Sequence, residues 1–523
     1  MESKQLTILA TSDVHGYIYP TNYSDHQDRK LGLAKLATLI KEKRKKTPVV
    51  LLDNGDMIQG SPFTFYHAKF AREQKNPMIK VANKLGYQAA VFGNHEFNYG
   101  LDYLKQVIAE SNFPWLSASI LSSETNQPAF GQPYIISEID GVRIAVIGVT
   151  THYIPNWEEP SHIKGLNFAD TLETTKYWVK KVRKEEQPDV CVVAYHGGFE
   201  RDLHSGEPTE PLTGENQGYE ISQEVEGMDV FITGHQHRDI ATHLNGAAVV
   251  QPSNMGQRLG EITLNLEKNE TGKWEVKSAI PKTIEIPETM KADAEILELV
   301  EELERDTQSW LDTPIGEIKG DMTIIDPLQV RLEDHPFIEF INRVQMEVSG
   351  APISNTALFN NTSPGFPKQV TMRDIVSNYV FPNTLKVLEL TGADIKAALE
   401  QSASYFIIDD SGEITVNPAY MEPKPQHYNY DMWEGITYEL TISNPVGERV
   451  SELLFEGKPM DLAATFHVVM NNYRASGGGN FAMFQEKEIV KDIPTDMTEL
   501  IADYILKHKT IEATCDNNWR VKK

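Results

Sequence analysis

The amino-acid sequence predicts an α/β architecture in two domains, on three grounds. Short apolar, β-branched runs alternate with helical stretches through about the first 280 residues. These runs are bounded by Gly, Pro or Asp, as buried strands are. After residue 350 the texture changes to a different mixture of helices and strands, and 523 residues suffice for two to four domains of roughly 100–200 residues each.

Taken in chain order, Val49-Val50-Leu51-Leu52, Ala89-Ala90-Val91-Phe92, Ile144-Ala145-Val146-Ile147, Val190 to Ala194 and Val230-Phe231-Ile232 read as strands of a largely buried sheet. Between them, Leu33 to Lys46 has helical spacing with a polar face. Ile284 to Glu288 reads as the end of this unit. Ala292 to Trp310 is predicted as one acidic helix. A further helix is predicted from about Pro336 to Val348, with Asp334 as its N-cap and Ser349-Gly350 as its stop. The expected division is a first domain over 1–334, a linking helix over 335–350 and a second domain over 351–523. The second domain should contain a helix at Ile395 to Ser402 and strands at Ile436 to Ile442 and Thr465 to Val469.

Composition excludes several classes. With 49 Lys+Arg against 75 Asp+Glu the chain carries −26, which opposes duplex nucleic acid and anionic membranes. Two cysteines, Cys191 and Cys515, do not make a disulfide framework, and Cys191 in an apolar run reads as a buried thiol. No run approaches the length of a membrane-spanning helix. Leu6 to Ala10 is too short for a signal-peptide core, so the expected address is the cytoplasm.

The chemistry gathers at the ends of the strands. Leu6 to Thr11 leads into Asp13 and His15, Val49 to Leu52 into Gly55 and Asp56, and Ala89 to Phe92 into Gly93, Asn94, His95 and Glu96. Val190 to Ala194 leads into His196, and Val230 to Ile232 into Gly234, His235 and His237. In open α/β sheets the ligand site lies beyond the carboxyl ends of the strands, so these residues should meet. One such histidine is more often a hydrogen-bonded structural residue than a ligand. Packing has no use for His or Asp at five strand exits. Imidazoles with carboxylate and amide oxygens suit divalent transition metals, and one carboxylate can bridge a pair of them.

In that order and spacing, Asp13-x-His15, Gly55-Asp56, Gly93-Asn94-His95-Glu96, His196 and Gly234-His235-x-His237 resemble the calcineurin-like metallophosphoesterases. The resemblance implies a four-layer αββα first domain holding two divalent ions, of manganese, zinc, cobalt or iron. It assigns Asp13, His15 and His237 to one ion and Asn94, His196 and His235 to the other, with Asp56 bridging. It makes His95 the catalytic histidine that stabilises the transition state, with a water activated by the metals as nucleophile.

Later motifs narrow the family. Asn472-Tyr473-Arg474-Ala475-Ser476-Gly477-Gly478-Gly479 and Tyr379-Val380-Phe381-Pro382-Asn383 resemble the C-terminal domain of the 5′-nucleotidase and 2′,3′-cyclic-nucleotide 2′-phosphodiesterase/3′-nucleotidase family. That resemblance implies an α/β nucleotide-binding second domain, with Phe381 and Tyr473 clamping the base, Gly477 and Gly478 as a backbone wall, and Arg474 either on the surface or near a phosphate. Three differences separate the chain from the 5′-nucleotidase pattern: Asn98 where an Asp is expected, no Arg within Phe359 to Gly365, and Gly479 in place of an Asp. Asn98 could instead cap the helix beginning near Leu101. All three differences resemble the cyclic-phosphodiesterase branch. The leading expectation is hydrolysis of 2′,3′-cyclic nucleotides to 3′-nucleotides and then nucleosides. A 5′-nucleotidase is the alternative, and a nuclease or an inactive nucleotide sensor stands lower.

Overall fold

A computed structural model describes every residue except 1, 211, 380, 382, 423, 424 and 494, so Val380 and Pro382 of the second-domain motif lie outside the described residues. The chain divides into two compact units, residues 1–307 and 308–523.

The first unit is built on two six-stranded sheets. In one the order is Trp274–Glu285, Arg258–Lys268, Ser3–Thr11, Val49–Asp53, Ala89–Val91, Trp115–Leu116; in the other it is Asp239–Leu244, Ala247–Pro252, Val230–Ile232, Val190–His196, Val142–Thr150, Tyr134–Ile139. Ser3–Thr11, Val49–Asp53 and Ala89–Val91 run parallel, as do Val142–Thr150, Val190–His196 and Val230–Ile232. Alternation along each strand explains the layering. Leu6, Ile8, Ala10, Val50 and Leu52 of the first sheet share one buried cluster with Ile144, Val146, Val190, Val192 and Ala194 of the second. The intervening residues Ala145, Ile147, Val149, Cys191 and Val193 face the opposite way, into a cluster with Val179 and Val182 of the helix Thr171–Glu185. Leu9 and Leu51 on the outer face of the first sheet are buried too, as are the apolar sides of helices Leu33–Arg44 and Pro77–Leu85. The result is helix, sheet, sheet, helix. Both faces of the strands are covered, which is why their sequences are continuously apolar.

The second unit centres on a mixed five-stranded sheet, ordered Asp431–Glu434, Ile353–Ala357, Thr465–Asn471, Leu385–Thr391, Ile489–Ile493. Helices Met372–Asn378 and Gly392–Ala403 each begin with a capping box, Thr371 with Asp374 and Thr391 with Asp394.

Three expectations change. The acidic helix over 292–310 is two helices, Ala294–Glu298 and Glu301–Leu311, and the units separate within the second of them rather than at residue 334. The helix Pro336–Ser349 belongs to the core of the second unit: Phe337, Ile338, Phe340, Ile341 and Val344 are buried with Ile353 and Phe366. Its N-cap is His335, whose Nδ1 accepts from Phe337 N at 3.2 Å, and not Asp334; Gly350 ends it in a left-handed conformation.

Candidate metal centre and aromatic site

The seven donors expected at the strand exits meet at one end of the two sheets of the first unit. Asp13, His15 and His237 bring one ligand atom each within 4.8 Å of the others, and so do Asp56, His196 and His235. His15 Nε2 lies 3.0 Å from His237 Nε2 and 4.0 Å from Asp56 Oδ2; His196 Nε2 lies 3.2 Å from both Asp56 Oδ2 and Asn94 Oδ1. His235 Nδ1 is 3.0 Å from Asn94 Oδ1. Asp56 is thus the carboxylate near both groups.

The loops that present these side chains are held by unusual backbone. Asp13, His15, Asp56, His235 and His237 all have φ between 51° and 67°, in the left-handed region that costs a non-glycine residue about 1–2 kcal/mol. What offsets this is local. Asp13 accepts from His235 N at 3.0 Å, and Asp56 accepts from His95 N at 2.8 Å. Glu96, fully buried, accepts from Gly93 N (2.6 Å), Asp56 N (2.8 Å), Met57 N (2.7 Å) and Ile58 N (3.3 Å), tying two strand exits together. Gly93 passes so close to Asp56 that a Cβ there would collide with the carboxylate.

The donor set fits divalent cations. Three of the histidines commit their far nitrogen to an acceptor: His15 Nδ1 donates to Gln59 O (3.1 Å), His196 Nδ1 to Asn54 O (2.7 Å) and His235 Nε2 to Glu215 (3.0 Å). Each then points its other nitrogen at neighbouring oxygens or nitrogens, a convergence of lone pairs that only a proton or a cation satisfies, and such partners are how proteins orient metal-binding imidazoles. The electrostatics agree. Burial acts against the Asp56 carboxylate, but His196, His95 and His15 outweigh it and hold Asp56 well below the usual range. Burial likewise acts to lower His196, yet Asp56 raises it to about 10, so this point attracts positive charge. A metal here competes with that proton.

His95 stands beside the donors, its ring 5.3 Å from that of His15. Its Nδ1 donates to Asn98 Oδ1 at 2.7 Å, and Asn98 Nδ2 donates to Glu158 at 2.7 Å. Asn98 therefore orients His95 and does not cap the following helix, Gly100–Glu110, whose N-cap Tyr99 makes no side-chain bond. The carboxylate absent at position 98 is present one step further out, as Glu158. Glu158, Glu215 and Trp157, which stacks on His235 at 5.3 Å, escaped the sequence reading because they sit in irregular segments without periodicity.

In the second unit Phe381 and Tyr473 are among the exposed aromatics, at 40% and 37%. Both flank Tyr428, at 5.9 and 6.3 Å between ring centroids, a residue the sequence reading also missed. Phe381 rests edge-on against Phe359 at 5.3 Å. Gly478 lies against the Tyr473 ring, where a Cβ would come within 2.6 Å, and Gly477 turns at φ 88°. Arg474 is neither on the surface nor open to a phosphate: it is 1% exposed, paired with Asp431 at 2.8 Å, stacked on Phe481 at 3.8 Å, and donates to Gly478 O and Tyr428 O. Its guanidinium braces the glycine loop and Tyr428 from below. Gly479 at φ 73° faces Asn429 Oδ1 and Arg474, which leaves no room for the Asp expected there.

Fold and donor set together define a phosphoesterase of the calcineurin-like class: the calcineurin-like phosphoesterase family matches residues 6–239, and the 5′-nucleotidase C-terminal domain matches residues 314–486. Over 99% of its length the chain is 31% identical to the 2′,3′-cyclic-nucleotide 2′-phosphodiesterase/3′-nucleotidase of Yersinia enterocolitica, covering 88% of that protein. It is 29% identical, again over 99% of its length, to the trifunctional nucleotide phosphoesterase protein YfkN of Bacillus subtilis, of which it spans 39%. Among solved structures, a Staphylococcus aureus protein assigned as a 5′-nucleotidase, in complex with α-ketoglutarate, shares 37% identity at a TM-score of 0.88, over 99% of this chain and all of that one. The chain belongs to the 5′-nucleotidase family of metallophosphoesterase hydrolases.

Proposed function

We propose that the chain hydrolyses nucleotide phosphoesters, converting 2′,3′-cyclic nucleotides to 3′-nucleotides and these to nucleosides. The observation that carries the reading is the convergence of Asp13, His15, Asp56, Asn94, His196, His235 and His237 on two adjoining points. Asp13, His15 and His237 would hold one ion and Asn94, His196 and His235 the other, with Asp56 shared. Two divalent ions of manganese, zinc, cobalt or iron there supply positive charge for phosphoryl oxygens and lower the pKa of water. The protein's own part is positional. His95 keeps its Nδ1 proton on Asn98, so Nε2 is the nitrogen that faces substrate and carries a proton to the leaving oxygen. Glu158 fixes the amide of Asn98, and Glu96 fixes the turn that carries Asp56. Phe381 and Tyr473 receive the base between their exposed faces, a contact that tolerates any base.

Asn98 and Gly479 support the cyclic-nucleotide reading, and so does the Yersinia relative by its name. A 5′-nucleotidase is the second reading, favoured by the 37% identity to the Staphylococcus protein. The substrate is a small nucleotide and neither duplex nucleic acid nor membrane, in keeping with −26 charges. No helix among the described residues is long and apolar enough to cross a membrane; the cytoplasmic address is part of this proposal, and two free cysteines suit it. The test is a panel of 2′,3′-cyclic, 3′- and 5′-nucleotides and nucleotide-sugars with each metal added in turn. Turnover of the cyclic and 3′ substrates is expected; turnover of 5′-nucleotides alone would overturn the leading reading in favour of the second.

A further inference from the structure

The second unit contains a cluster of carboxylates outside the site described above. Asp334, Glu339, Glu434 and Asp516 each bring a carboxylate oxygen within 4.8 Å of the others. They come from three places in the sequence. Asp334 and Glu339 flank the start of the helix Pro336–Ser349, Glu434 ends the strand Asp431–Glu434, and Asp516 lies in the segment before the strand Trp519–Lys522.

Some of these oxygens have partners. Asp334 Oδ2 accepts from Asn517 N at 3.0 Å, Glu339 Oε2 from Asp516 N at 2.8 Å, and Glu434 Oε2 from Asn518 Nδ2 at 3.0 Å. The others do not. Asp334 Oδ1 and Glu434 Oε1 are buried without a hydrogen-bond partner among the described residues, on side chains only 8% and 5% exposed. An ionised carboxylate left so is costly, and crowding four together is costlier. Among the described residues the cation paired with the cluster is Arg343, on Glu339, and its side chain is half exposed. With all four ionised, four carboxylates less one guanidinium would put three negative charges in a mostly buried volume. The positive end of the helix offsets about half a charge.

We propose that Asp334, Glu339, Glu434 and Asp516 form a site for a hard divalent cation of the calcium type. The donors are all oxygen and all anionic, the set that such ions select. Asp516 is exposed and gives the ion a route in, with room for water to complete its shell. Cys515 is within reach of Asp334 and Glu339, but burial and these carboxylates push its thiol up to about 12; it keeps its proton, and a soft thiolate-seeking metal gains nothing. Bound there, the ion ties the segment 513–518 to the first turn of the helix and to the sheet.

Terbium luminescence sensitised by tryptophan tests this without reference to activity. Trp433 adjoins Glu434 and Trp519 follows Asp516 by three residues, both buried, so an ion in the cluster would be lit by them. The full chain is used with Trp157→Phe, which removes the ring stacked on His235 and silences the histidine centre. Emission that calcium displaces is expected, with affinity at least about tenfold weaker in Glu434→Gln, and weaker again when Asp516→Asn is added. Asp56→Asn should leave it unchanged. Because Glu434 is buried, Asp516→Asn alone, on an exposed residue, serves as the variant that keeps its fold, and circular dichroism checks both. Three results would each overturn the proposal: no emission from the folded chain, emission that calcium does not displace, or emission that survives both substitutions. The first would mean that the carboxyls share protons in place of an ion. Loss on Asp56→Asn alone would place the ion in the first unit and overturn it equally.

Discussion

In the first unit Asp13 and Asp56 are buried among five imidazoles; in the second, Asp334, Glu339 and Glu434 are buried among further carboxylates. The consequences run in opposite directions. Asp56 is held well below the usual carboxylate range, because His196 and its neighbours more than offset burial. Glu434 is pushed up to about 9 by burial and by Asp334, Asp516 and Glu339. Burial of an acid therefore says little until the charges around it are counted. Imidazoles make a centre that keeps its anions and releases protons to a transition metal, whereas carboxylates alone make one that must take up protons or a hard ion.

The contrast can be broken most forcefully at Asp56. Replacing it by Ala removes the donor near both groups of ligands, and kcat/KM should fall at least ~10⁴-fold, with metal content measured by mass spectrometry falling in step. His95→Ala should cost less, about 10²–10³-fold in kcat, with metal content unchanged, if His95 moves a proton and holds no ion as proposed. If metal were lost as well, the division between ligand and acid–base group would be wrong. Phe381→Ala and Tyr473→Ala should each weaken nucleotide binding by ~1–3 kcal/mol while kcat stays near its native value, as read by titration calorimetry and steady-state kinetics. The smallest effect concerns the second cluster in chelator. A carboxyl raised in the folded state is protonated there while the unfolded chain has already lost its proton, so its contribution is fullest below the ordinary value of 4.5 and declines as pH rises toward 9. Melting temperature should drop by a few degrees across that window. Calcium or Glu434→Gln should each flatten the decline.

The convergence of the candidate metal ligands was legible in the sequence for a geometric reason. The carboxyl ends of parallel strands lie side by side, so residues following five separate apolar runs can be placed together without knowing anything else. Unbroken apolar runs likewise forecast buried strands, because each has two covered faces. What escaped depends on contacts that no period encodes. Glu158 reaches Asn98 across 60 positions of irregular chain, and Arg474 is turned inward by Asp431, which lies 43 residues earlier. The helix over 336–349 has a legible period, but whether its stripe would be covered by the first unit, the second or neither was not written in it. The sequence pointed to Asp334 as cap because carboxylate is a strong signal for that role and imidazole a weak one, and the structure gives the place to His335.

The left-handed backbone at Asp13, His15, Asp56, His235 and His237 bears on how this protein would respond to selection in the laboratory. Glycine and asparagine are the residues most at ease in that conformation. A library sorted only for heat resistance would therefore enrich Gly at these five positions, each exchange relieving strain while discarding a donor. Survivors of such a screen would be sturdier and inert, so thermal breeding of this scaffold has to be paired with a round that scores turnover.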